Sequence, residues 1–173
     1  MVKFLTTVGF GFILLVIQST FAHMVPLDFI VPNGAMAIVL YMGLHDYDSG
    51  HGAVISFILG YMMDAFAGSP IGLFTFVSVA VFFVSKVASL RLFLQNVIFE
   101  TILVFFLVLV AGGVILSIRA LFDQDFGGLL SHIKIVVLRS GATAVVAPAV
   151  FRVMRVLDQI YARRSPGRKV FRR

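Results

Sequence analysis

The sequence predicts an all-α membrane protein, a six-helix transmembrane bundle. Three observations predict it. The 173-residue chain is 60% hydrophobic and holds 19 Phe, with a mean hydropathy of +1.06, more apolar surface than a soluble core absorbs. The apolar residues fall into six runs parted by short connections. Eight of the fourteen Lys and Arg crowd into residues 152–173, which leaves the spans nearly free of charge. There is no Cys, which excludes a disulfide framework, thiolate chemistry and Cys-ligated metal. There is no Trp, so an interfacial aromatic belt would be built from Tyr and Phe.

The runs give spans at 4–22, 32–44, 52–68, 71–89, 96–121 and 133–157, followed by a basic tail at 158–173. Most approach the roughly 20 residues that cross a hydrocarbon core of about 30 Å. In the first, Lys3 and the "TFAH" of Thr20–His23 also fit a signal peptide cut after Ala22, but the apolar stretch is long for one, and it reads as a retained helix. The second is short, and Pro32 suits a first helical position. The tail from Phe151 alternates apolar and basic residues, among them Arg152, Arg155, Arg163, Arg164, Arg168 and Lys169. It can lie on the inner leaflet, where each cation near an anionic surface is worth about 1 kcal/mol. The partner this implies is membrane lipid, with no nucleic acid.

Orientation follows the basic residues that flank the spans. With six spans and the N-terminus inside, one side holds Lys3, Lys86, Arg91 and the eight tail residues, eleven in all. The other holds Arg119, Lys134 and Arg139, three in all. Both termini are therefore expected on the cytoplasmic side of a multi-pass membrane protein.

The third span carries the main site candidates. Gly52, Ser56, Gly60, Asp64 and Gly68 recur every four residues, a ridge along one helix face. Small residues there let another helix approach, and the ridge is expected to pack on a helix of this chain or to contact a partner subunit. Asp64 lies one turn from the end of its helix, where the dipole disfavours a carboxylate. It therefore wants a cation, a hydrogen bond or a proton, and Arg139 of the sixth span lies at similar depth for an intramembrane ion pair. Glu100 is the other embedded acid, with Asn96 on its face and Lys86 and Arg91 nearby, and reads as a structural ion pair. The "HDYDSGH" of His45–His51 matches no metal-ligand spacing and reads as a solvated turn. There is no nucleophile elbow, His-Glu-x-x-His or phosphate-binding glycine loop, so neither an enzyme nor a cofactor or metal site is expected.

The order of features carries a resemblance. "IQST" at Ile17–Thr20 is followed by "VPNGAMAIVLYMGL" at Val31–Leu44, "GAVISFILGYMMDAF" at Gly52–Phe66 and "SPIGLFTF" at Ser69–Phe76. This resembles the bacterial rod shape-determining MreD family. The best-matching part is Gly60-x-x-x-Asp64 with the turn residues Pro70 and Gly72. Asn33 departs from the family, which often has Asp after the proline. The resemblance implies a non-enzymatic scaffold of the cell-elongation machinery, the elongasome, that supports lateral peptidoglycan synthesis. Its implied partners are MreC, a shape-associated penicillin-binding transpeptidase, RodA and the MreB filament. It also implies a fold similar to the substrate-binding subunit of energy-coupling-factor transporters. The alternative is therefore a vitamin-transporter subunit, for which Asp64, Arg139 and Asn33 supply polar groups but long capping outer loops are missing.

Overall fold

The computed structural model describes residues 2–24, 31–45, 47–67, 72–91, 97–122 and 129–164. They form six helices: α1 (Val2–Met24), α2 (Gly34–Leu44), α3 (Ser49–Ala67), α4 (Leu73–Arg91), α5 (Val97–Phe122) and α6 (Leu129–Arg164). Five are long and apolar enough to cross a membrane, and α2 is a shorter apolar helix. Of the expected site residues, Gly68, Pro70, Arg168 and Lys169 lie outside the described residues. Arg163 and Arg164 belong to α6, but their side chains are not described.

The architecture is a ring of five helices around α2. In contact order the ring runs α1, α3, α4, α5, α6, and α2 packs on all five. Every residue of α2 is buried. A helix apolar on all sides has no face to give to lipid or water, so the centre is its stable place. At 1.5 Å per residue its eleven residues make about 16 Å, well short of the bilayer core. The shortfall is tolerated because the helix ends are buried in protein that satisfies their backbone groups. The Asn33 side chain accepts from the N–H of Met36 at 3.0 Å. Gln18 Oε1 accepts from the N–H of Gly34 at 3.1 Å, and Thr143 Oγ1 accepts from the N–H of Asn33 at 2.9 Å. Asn33 thus performs the capping that an Asp could perform, without bringing a charge to that depth.

Two glycines set how closely α3 and α2 approach α4. A Cβ on Gly60 would lie 2.6 Å from Thr75 Cα and 2.9 Å from the Phe74 carbonyl oxygen. One on Gly43 would lie 2.5 Å from Ser85 Cβ and 2.8 Å from the Phe82 carbonyl oxygen. Both α3 and α2 therefore press backbone to backbone against α4. Gly52 gives the Phe82 ring its room, and that ring is wholly buried. The ring of helices is loosest between α6 and α1, where an apolar groove of about 810 Å³ runs along Phe4, Gly9, Phe10 and Ile13 of α1 and Val153 and Leu157 of α6.

The outer faces of the ring are apolar, with Phe12, Ile13, Phe76, Phe83, Phe106 and Val110 among the exposed side chains. That is the surface a hydrocarbon solvent selects. The two buried acids, Asp64 and Glu100, lie instead towards the ends of their helices. The sixth helix extends past the expected limit of its span at residue 157 without a break, to Arg164.

Candidate functional site

Two polar clusters stand at opposite ends of the bundle. On α6 they are marked by Arg139 and Arg155, sixteen residues apart, which at 1.5 Å each is about 24 Å. That is a little less than the thickness of a hydrocarbon core.

The first cluster is built on Asp64. Its carboxylate leaves α3 and meets the N-terminus of α4. Oδ1 accepts from the N–H of Phe74 at 2.8 Å. Oδ2 accepts from the N–H of Gly72 at 3.0 Å, the N–H of Thr75 at 3.1 Å and the Thr75 hydroxyl at 2.6 Å. An acid that is unfavourable at the C-terminal end of its own helix is favourable at the start of the next, where the dipole is positive and the first N–H groups lack partners. The tight turn before α4 needs Gly72, whose φ is +102°, a region other residues rarely occupy.

This corrects the expected ion pair. Among the described residues no ion pair joins Asp64 to Arg139. The Asp64 oxygens are taken by α4, and Arg139 lines cavities together with Asn33 and Phe74. The four-residue ridge is also placed. Gly52, Ser56, Gly60 and Asp64 are all buried, with Gly52, Gly60 and Asp64 turned to α4. Ser56 donates to the Gly52 carbonyl at 2.8 Å. The ridge packs within the chain, and the partner-contact reading of it is withdrawn.

The second cluster gathers side chains from five elements. Glu100 of α5 is held from two sides, by Arg155 Nη2 at 2.7 Å and His45 Nε2 at 3.2 Å. His45 stacks on Tyr41 with centroids 4.2 Å apart, and Phe151 meets both rings edge-on. One turn beyond Arg155, Asp158 accepts from the Tyr41 hydroxyl at 3.0 Å and pairs with Lys3 at 3.0 Å. Lys3 Nζ also stands 3.9 Å over the Tyr47 ring. Lys86 of α4 donates to the Tyr47 carbonyl. The start of α1, the end of α2, the end of α4, the start of α5 and the last third of α6 are thereby tied at one level.

Three expectations are corrected here. Glu100 pairs with Arg155 and His45, whereas Lys86 serves a backbone carbonyl. Arg155 is turned inward to an acid and is not simply a leaflet-facing cation, while Arg152 is exposed. The His45–His51 stretch is only partly a solvated turn. Asp48 and His51 are exposed and pair at 2.7 Å, a bond that holds the Asp48 carboxyl below its usual range. Tyr47 is buried, and His45 reaches into the cluster. Nothing in the local sequence signals this, because Tyr47 meets Lys86 and Asp158, 39 and 111 residues away, and His45 meets Glu100 on another helix.

In the second cluster the Glu100 carboxylate is clamped between a guanidinium and an imidazole. Among the described residues no group of three or more His, Asp or Glu is placed to hold a metal.

No curated protein and no solved structure matches the chain. The model of the rod shape-determining protein MreD family matches residues 1–157, which span all six helices through most of α6. With that match over nearly the whole chain, the protein belongs to the MreD family.

Proposed function

We propose that the protein is a non-enzymatic scaffold of the cell-elongation machinery in the bacterial inner membrane, with both termini cytoplasmic. In this reading it supports lateral peptidoglycan synthesis through contacts with MreC, a penicillin-binding transpeptidase and RodA, and with MreB filaments on the inner side. The observation that carries the reading is the family match over residues 1–157. A rod-shape role follows from membership, and the scaffold reading is supported by how the chain spends its polar groups. Asp64 caps a helix, and Glu100 and Asp158 tie helices together. Each of these acids serves the integrity of the bundle. The apolar outer faces are open both to lipid and to other membrane helices.

The experiment is depletion of the protein in its native rod-shaped cell, with cell width and vitamin uptake followed in parallel. The scaffold reading expects rounded cells with normal uptake, and loss of the transpeptidase and MreC from material that co-purifies with the tagged chain in mild detergent when exposed faces are altered. Normal shape with a selective uptake defect would replace it with the vitamin-transporter reading.

A further inference from the structure

The outward face of α6 differs from that of α5. On α5 the exposed side chains are bulky and uncharged, with Phe99, Ile102, Phe106 and Val110 among them, which suits contact with lipid tails. On α6 the outward positions Leu138, Ala142, Val145, Ala149, Arg152 and Val156 follow one another by four, three, four, three and four residues. That alternation is the spacing of a coiled-coil seam. Val145 is 78% exposed and stands between two alanines, small residues that leave room for the side chains of another helix.

The face carries one charge. Arg152 is exposed and lies within the apolar stretch His132–Ile160. Exposed apolar side chains continue on both sides of it, Val145 towards one end of the helix and Val156 and Ile160 towards the other. Among the described residues Arg152 has no hydrogen-bond, ion-pair or ring partner. Arg155, one turn on, is by contrast held by Glu100.

A guanidinium stays charged, and in weakly screening surroundings it requires an anion. Two arguments select an acid on a membrane helix over a lipid phosphate. Side chains lean towards the N-terminus of their own helix, and α6 begins at the Arg139 end. Arg152 therefore leans towards the middle of the bundle and away from the nearer headgroups. A face that meets only lipid also has no need of alanines at seam spacing. A second copy of this chain does not supply the acid, because its embedded acids Asp64 and Glu100 are buried and bonded. We propose that the outward face of α6 docks a transmembrane helix of a partner protein that carries an Asp or Glu at the level of Arg152. The inference rests on the scaffold reading and deepens it, by naming the face and the chemistry of one contact.

The test uses the full chain in its native rod-shaped cell, with photoreactive benzoylphenylalanine placed in turn at Val145 and Val156. Both positions are expected to give protein adducts in which the captured peptide is an apolar span with an Asp or Glu. Arg152→Gln should lower the adduct yield at least about threefold, as loss of a polar pair between membrane helices implies. Lys134→Gln, an equal change of charge nearer the start of α6, should leave it unchanged. Arg152→Asp together with an Arg in place of the captured acid should restore the yield, which a merely structural role would not do. Should Arg152→Gln fail to accumulate, Arg152→Lys and the amide variant of the captured acid decide the matter. Lipid adducts alone, an adduct to a second copy, a captured span without an acid, or a yield indifferent to Arg152→Gln would each overturn the proposal. If any of these occurs while depletion of the chain still rounds the cells, the scaffold reading stands and only this face fails.

Discussion

Asp64 Oδ1 accepts the backbone N–H of Phe74 at 2.8 Å, so the last turn of α3 caps the first turn of α4. The contact crosses a turn, and it joins two helices that also meet at Gly60. Helix and turn are thus fixed by one carboxylate. In bulk water such a cap is worth about 1 kcal/mol. Here Asp64 and Thr75 are buried and Gly72 and Phe74 half-buried, and leaving such donors unpaired costs more.

Asp64→Ala should therefore destabilise the bundle by about 1–3 kcal/mol in detergent unfolding, the range for orphaned buried donors. Asp64→Asn should fall between Ala and the native chain, because one acceptor oxygen survives and an NH₂ group now faces N–H donors. Combining Asp64→Asn with Arg139→Gln should give additive losses within about 0.5 kcal/mol. A clear rescue in the double variant would restore the ion pair that the geometry removes.

Gly60→Leu should cost about 1–3 kcal/mol, the range for overpacking, because the Cβ alone already meets the α4 backbone at 2.6 Å. The backbone cannot rotate away as a side-chain tip can. Gly141→Ala is the control, since a Cβ there meets nothing within 4 Å, and it should be neutral or slightly stabilising. Equal behaviour of the two variants would show that α3 and α4 do not pack as described.

Glu100 and Arg155 should show a coupling of about 0.6–1.7 kcal/mol in a double-mutant cycle built on Glu100→Gln and Arg155→Gln, the span found for polar pairs in membrane proteins. The Arg155 side chain is 43% exposed, so solvent screening argues for the lower part of that range. His45→Leu should weaken the same cycle, because it removes the second donor to Glu100. A coupling of zero would mean that each group is satisfied by water.

The exposed pair of Asp48 and His51 gives a pH expectation of small size. The Asp48 carboxyl is held below its ordinary value of 3.8 by its bond to His51. A depressed carboxyl adds stability that is complete above its ordinary value and is lost as the pH falls through the folded one. Asp48→Asn should therefore remove a slight stabilisation above about pH 4, and the two chains should converge as the pH falls below it; the effect is slight because both side chains are in solvent. A large effect near neutral pH would show that this turn makes contacts beyond those described.

Reporter fusions at Arg173 and at Met1 should both report the cytoplasm, on the ground of eleven basic residues at one end against three at the other. The structure bears on this through Lys3 and Asp158, which lie 3.0 Å apart. The start of α1 and the late part of α6 therefore share one end of the bundle. Opposite signals from the two fusions would contradict that geometry.

The sequence by itself determined the class, the helices and their alternation. Apolar runs of the length of a bilayer leave few other solutions, because a backbone in lipid must satisfy itself. It also determined that the Gly52–Asp64 ridge faces protein, since four-residue spacing fixes a helix face. Only the tertiary structure decided what that face meets. The carboxylate of Asp64 could pair with any donor at its depth, and spacing within α3 says nothing about which helix arrives there. The same holds for Gly43, an unremarked glycine in a uniformly apolar helix, which becomes a backbone contact only because α2 sits at the centre of the ring. It holds for Glu100, whose partners His45 and Arg155 come from other helices. Local pattern sets which residues face inward through helix geometry. The choice among inward-facing partners is a property of how six helices fill one volume, and it appears only when they are packed.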